Sequence, residues 1–274
     1  MNLPNRQQFD ASALLLQSNG HLLTLNDRSF VVYRIDFLQG TNAAALLPVT
    51  ELFSPDRMKP FGQESGGRFD CEGLAMDTQG RIYLCEEGHR WIFRCDPKTR
   101  QVERLAIDWS PVKSFFHEID INASFEGIAI GDDRLYVANE RQTGQIIVVD
   151  LGTLKVTDHF SVRPASSQAR DVHFTDLCWF EGALFVLLRE SRYVLQVDPG
   201  TRRVQAEFYF GEMERQRDVA YSSLYPTGSM EGLAVEKNFF WLVTDNNGRP
   251  RARYPQDMRP TLFKCPRPDK QKTH

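Results

Sequence analysis

The stretch FDCEGLAMDTQGRIYLCEEGHRWIFRCD, residues 69–96, decides the fold because related stretches begin at Phe9, Ser124, His173 and Ser229. Set on one frame, the five align Ser12, Glu72, Glu126, Asp176 and Glu231, at intervals of 60, 54, 50 and 55 residues. Self-similarity at a period near 50 marks a propeller or a solenoid. Within residues 69–107 the chain reads CEGLAM, a turn DTQG, then RIYLCE, WIFRCD, a turn PKTR and VERLAI. Short alternating runs bounded by Gly, Asp, Asn and Pro are hairpin strands, and four of them in about 50 residues make one blade. The expectation is all-β: a single propeller domain over residues 1–274, with five blades of four antiparallel strands and six blades as the alternative. Helices should be few, since no stretch keeps a 3.6-residue period.

The fifth copy supplies only EGLAVE, FFWLVTD and TLFKC before the polar tail 266–274. An open sheet edge there would invite aggregation. The N-terminal segment NLPNRQ, residues 2–7, is therefore expected to supply the outer strand and close the ring. Residues 54–68, rich in Pro, Gly and charge, read as a long loop. Residues 211–228 carry one short helix. Phe115 and Phe116 read as packing over a blade.

The formal charge of −3 over 274 residues argues against a chain built to grip nucleic acid. No apolar run reaches the length that spans a membrane. The start of the chain lacks a signal-peptide pattern, so the expected location is cytoplasmic, or exported with a leader absent from this sequence. The five cysteines form no C-x-x-C pair and read as reduced, buried thiols. A monomer acting on a small-molecule ligand or substrate is the expectation, without nucleic acid or membrane as partner.

If the first strand of each blade lines the channel and the second runs antiparallel beside it, the start of one and the end of the other share a mouth. Strand starts supply Glu72, Glu126, Asp176 and Glu231, with Ser12 neutral; strand ends supply Asp27, Glu87, Glu140, Arg189 and Asp245. Two carboxylates 5 Å apart repel by about 3 kcal/mol at an effective dielectric near 20. Three offsets are open: a hard cation such as Ca²⁺, which takes six to eight oxygen ligands; internal pairing with Arg189, Arg141 or another basic residue; or a cationic ligand. Each Glu followed by Gly also has an architectural reading, with the glycine admitting the neighbouring strand. Loop residues His89, Arg141 and Arg249 are candidates for substrate binding, and His89 and His173 for proton transfer. No G-x-S-x-G elbow, Walker loop, dinucleotide fingerprint or H-E-x-x-H helix is present.

CEGLAMDTQGRIYLCEE, FEGIAIGDDRLYVANE and MEGLAVEKNFFWLVTDNNG resemble the E-G-L-A repeats of the phytase-like family, also described by its esterase-like activity of phytase, and of SdiA-regulated propellers. The resemblance implies a propeller with a central acidic site and calcium-dependent hydrolysis of phosphoesters or esters. Glu72, Glu126 and Glu231 match the family's E-G element, and Asn139 and Asp245 the polar ends of second strands. On this reading Ca²⁺ is held among Glu72, Glu126, Asn139, Glu231 and Asp245. Glu87 or Glu140 acts as general base, and Arg189 or Arg141 faces the developing anion. Ser12, Leu188 and Arg189 depart from the family pattern. Similarity to gluconolactonase and regucalcin-type propellers implies a lactonase as an alternative. The contrasting reading is a non-enzymatic propeller that binds a ligand or a protein and whose channel carboxylates are structural.

Overall fold

The computed structural model describes residues 1, 8–116, 124–140, 144–165, 172–222 and 228–268. The fold is a five-bladed β-propeller. Blade 1 holds β1 (Ala11–Leu16), β2 (Leu22–Asn26), β3 (Val32–Phe37) and β4 (Ala44–Pro48). Blade 2 holds β5 (Cys71–Met76), β6 (Ile82–Glu86), β7 (Trp91–Asp96) and β8 (Gln101–Arg104). Blade 3 holds β9 (Phe125–Gly131), β10 (Arg134–Asn139), β11 (Gln145–Asp150) and β12 (Lys155–Phe160). Blade 4 holds β13 (Phe174–Phe180), β14 (Ala183–Leu188), β15 (Tyr193–Asp198) and β16 (Arg203–Tyr209). Blade 5 holds β17 (Met230–Val235), β18 (Phe239–Thr244) and β19 (Leu262–Pro266). Every pairing is antiparallel between neighbours in sequence.

Burial follows position in the blade. The second strands β6 and β14 are buried at every residue. Sheets cover both their faces, so ALFVLL reads as one apolar run instead of an alternation. The outer strand β12 alternates exposed and covered residues. Each hydrophobic cluster sits between two neighbouring blades: Leu23 and Leu84 join blades 1 and 2, Tyr83 and Val137 join 2 and 3, Tyr136 and Leu184 join 3 and 4. Phe185 and Phe240 join blades 4 and 5, and Leu22 and Trp241 join 5 and 1. The core is thus a ring of interfaces, and the last of them closes it.

Closure by residues 2–7 falls outside the described residues. Next to them, the Met1 ammonium donates to the Pro260 carbonyl at 3.0 Å, just ahead of β19. The loop reading of residues 54–68 is corrected by helix α1 (Pro55–Glu64). Pro55 stands in its first turn, where the missing N–H costs nothing. Met58 is buried against blades 1 and 2, and Phe61 meets Phe93 edge-on with centroids 5.0 Å apart. Helix α2 (Gly211–Glu214) is the short helix expected after blade 4. Phe116 packs edge-on against Phe125, with the Arg90 guanidinium 4.4 Å from its centroid. All five cysteines are free thiols, three buried and two half-buried. Among the described residues, no helix is long and apolar enough to cross a membrane.

The glycine after each inner-strand glutamate is where blades touch. A Cβ on Gly73 would lie 2.8 Å from the Glu126 carbonyl oxygen, one on Gly127 2.2 Å from the Asp176 Cα, and one on Gly232 2.7 Å from the Ala13 carbonyl carbon. Gly127→Ala, opposed by backbone and not by a movable side-chain tip, is expected to cost about 3 kcal/mol or more. Urea denaturation would measure the loss.

Candidate functional site: the acidic mouth

The acidic mouth is built by one local device repeated five times. Near the start of each inner strand the ladder skips a residue: after Ala11, after Cys71, between Phe125 and Ile128, after Phe174 and after Met230. Such bulges re-aim a side chain next to a site. They hold Ser12, Glu72, Glu126, Thr175 and Glu231. On the partner strands, the N–H groups of Asp27, Glu87, Glu140 and Asp245 donate to the carbonyls of Asp10, Asp70, Ser124 and Ser229. One backbone bond therefore fixes each carboxylate beside the next.

These residues enclose a cavity of about 240 Å³. Glu72, Glu126 and Glu231 line it from the inner strands; Asp27, Glu87, Glu140, Arg189 and Asp245 line it from the second strands; Ser12, Asp70 and Asn247 complete the wall. One guanidinium faces eight carboxylates. Arg189 Nη2 donates to Glu140 Oε1 at 3.0 Å and Nη1 donates to Glu231 Oε1. Its Nε donates to Glu190 Oε1 at 3.3 Å, and that oxygen lies 2.9 Å from His173 Nδ1. Burial opposes the charge on Arg189, but Glu231, Glu190, Glu126 and Glu140 together hold it firmly protonated. The Glu190 contact raises the His173 pKa.

The structure moves several residues named from the sequence. Glu72, Glu87, Glu126, Glu140, Arg189, Glu231 and Asp245 come together. Asp176 does not belong with them. Phe174 pairs with Leu188 as Cys71 pairs with Glu86, so Thr175 fills the glutamate position and Asp176 the glycine position. Its carboxylate, fully buried at the hub, accepts the N–H of Leu177 at 2.8 Å and of Leu233 at 2.7 Å. Asn139 is also outside the cavity: its side-chain amide donates to the Phe115 carbonyl at 3.4 Å. His89 stacks on Trp91 with centroids 4.3 Å apart and lies against Glu86, away from the lining. Arg249 is absent from the lining as well, its backbone engaged with Asn246. Arg141 lies outside the described residues. Asp70 and Asn247 escaped the sequence reading. Asp70, two residues before Glu72, was hidden because an Asp at a strand entrance reads as a turn residue.

Two overlapping groups stand out: Glu87, Glu126 and Glu140 each present an oxygen within 4.8 Å of the others, as do Asp70, Glu72 and Glu87. Desolvation, helped by neighbouring charge, raises the pKa of five of these carboxyls. Desolvation, then the neighbouring Glu126, lifts Glu72 well above the usual range; desolvation, then Glu140, does the same to Glu126. Desolvation and the charges of Asp10 and Asp70 raise Asp27 to about 7. Desolvation raises Glu231 to about 7 against the pull of Arg189, and desolvation with Glu231 raises Asp245 to about 8.

These shifts predict a pH dependence. Between the ordinary carboxylate values, 3.8 and 4.5, and about 8, the folded metal-free protein binds more protons than the unfolded chain. Stability falls with pH wherever the native state holds the extra protons. The protein is therefore expected to lose stability steadily across that window. Denaturation midpoints at half-unit pH intervals would check this.

The sequence profile of the phytase-like family, described as esterase-like activity of phytase, matches residues 10–248. The chain belongs to the phytase-like family. Among curated proteins none matches at a significant level. Among solved structures, the phytase-like chain resembles glutaminyl cyclase of Myxococcus xanthus, with a TM-score of 0.59 and 12% identity over 96% of each chain. It also resembles a protein of unknown function from Bacteroides caccae, with a TM-score of 0.51 and 9% identity over 93% of this chain and 77% of that one. At these identities the two likenesses speak to the propeller architecture of the phytase-like chain and leave its chemistry to its own residues.

Proposed function

We propose that the acidic mouth binds a hard divalent cation, calcium by the chemistry of its donors, and that the protein hydrolyses phosphoesters or esters there. The observation that carries this reading is the pair of carboxylate groups sharing Glu87, all oxygen donors and beyond what one arginine neutralises. Calcium favours such sets, and their freedom from His and Cys disfavours zinc. Glu87, Glu126 and Glu140 on one side, with Asp70 and Glu72 on the other, would hold it. A bound calcium supplies Lewis acidity and a water of lowered pKa. Because Glu87 and Glu140 fall among the ligands, the base role passes to Asp245, which lines the same cavity outside both ligand groups. Its carboxylate takes the proton of the attacking water. Arg189, held charged at the wall, faces the developing anion.

One observation favours a second reading, a metal-free ligand-binding propeller: Arg189 already pairs with Glu140 and Glu231, and raised pKa values let other carboxyls keep their protons. Calcium decides between them. A hundredfold excess of ligand over Kd stabilises by about 2.7 kcal/mol, so calcium is expected to raise Tm by several degrees and to support turnover of nitrophenyl phosphate, nitrophenyl acetate or simple lactones. Glu87→Gln is expected to weaken calcium binding and turnover by about 100-fold, since even outer partners of a metal site are worth 10–100-fold. No bound ion after purification without chelator, no shift in Tm and no turnover would overturn the hydrolase.

A further inference from the structure

The opposite end of the channel is chemically unlike the acidic mouth. Its cavity measures about 990 Å³, against about 240 Å³, and is walled by half-buried apolar side chains from the ends of the inner strands: Leu16, Met76, Ile130, Trp179 and Phe180. That volume is at the upper end of the range typical of small-molecule pockets. Between the two cavities lies the layer of Ala13, Gly73, Gly127, Asp176 and Gly232, whose residues line neither. Asp176 fills the centre of that layer, its carboxylate bonded to the backbone of Leu177 and Leu233. The channel is therefore two chambers.

Trp179 is held in place at a cost to the neighbouring blade. A Cβ on Gly131 would fall 1.9 Å from the indole, so only glycine there lets the ring lie against β9. The same indole stacks on Tyr136 at 5.5 Å with planes 15° apart. A clamped indole on the wall of an open chamber is a preformed platform for a flat or cationic group. The rim adds four aspartates and one arginine, Arg81. Asp77 pairs with Arg81 at 2.6 Å and accepts the Tyr83 hydroxyl, and Asp150 accepts the Thr153 N–H and hydroxyl at 2.7 Å. Asp132 and Asp133, exposed in the turn between β9 and β10, have no ion-pair partner among the described residues. Both keep positive φ, 51° and 57°, which fixes this acidic turn at the lip of the chamber.

We propose that this chamber is a second binding site, for a small aromatic amine whose apolar ring lies against Trp179 and whose ammonium group meets Asp132 and Asp133. The site is independent of whether the acidic mouth holds a metal. Titration calorimetry with tryptamine, in saturating calcium so that the acidic mouth is occupied or screened, tests it, with indole-3-propionate as the probe of opposite charge. Saturable one-to-one binding of tryptamine is expected, at least tenfold tighter than indole-3-propionate. Trp179→Leu and the surface pair Asp132→Asn/Asp133→Asn should each weaken it at least tenfold, while Glu126→Gln in the acidic mouth leaves it unchanged. The paired turn variant keeps the test valid should Trp179→Leu fold poorly. Absence of saturable binding, equal affinity for the two probes, or loss with Glu126→Gln and retention in the turn variant would each overturn the proposal.

Discussion

Replacing Arg189 with alanine is expected to destabilise the protein by about 3–5 kcal/mol, the scale for removing one partner of a buried ion pair. Its side chain is 20% exposed, against 2% for Glu140 and 9% for Glu231, so solvent screens little of the loss. Without the guanidinium, both glutamates lose the cation they share. The penalty should shrink as pH is lowered through about 7, where Glu231 takes up its proton, and should shrink again with calcium. Urea denaturation of wild type and variant at two pH values, with and without calcium, measures all three effects. A loss under 1 kcal/mol at high pH would show that the mouth does not depend on internal pairing.

The second large effect is expected at Asp176. Its carboxylate accepts backbone N–H groups of its own blade and of blade 5. Burial pushes its pKa well up, while nearby backbone N–H groups pull it down. Asp176→Ala leaves buried donors without acceptors, each worth about 1–3 kcal/mol, for a combined loss of about 4 kcal/mol. Asp176→Asn keeps one carbonyl oxygen in place and should cost about half as much by the same reckoning. The cost of Asn relative to the wild type is the informative part, because a purely steric plug would be served equally by the amide. Calcium should rescue neither variant, in contrast with Arg189→Ala.

The contrast between those two residues shows how far the sequence could be read. Arg189 was visible as an arginine at the end of a second strand, in a column otherwise acidic, and pairing with it was one of the foreseen offsets. Asp176 was misplaced by one residue. In FTDLCWF the acid was set on the frame of the glutamate in C-E-G-L, because a sequence frame weighs residue type and cannot see which residue a bulge leaves unpaired. Ladder register can: Thr175 is the unpaired residue, and Asp176 falls where the other blades carry glycine or alanine. Asn139 failed for a related reason, since neighbours along a strand face opposite ways and only Glu140, one residue on, turns to the mouth. Helix α1 was hidden by its own composition, its prolines and glycine outweighing the Met58 and Phe61 spacing that buries it.

By itself the sequence determined what is repeated and local: five copies, the order of strands in each, and an acid at corresponding places in most of them. Alternation and turn chemistry act over a few residues, so the chain spells them out. Only the tertiary structure decided how the hub divides, with carboxylates grouped around Glu87 on one side, Asp176 bonded across to blade 5 in the middle, and an apolar chamber on the other. Those features depend on distances between residues of different strands and blades, fixed by the packing of one blade on the next.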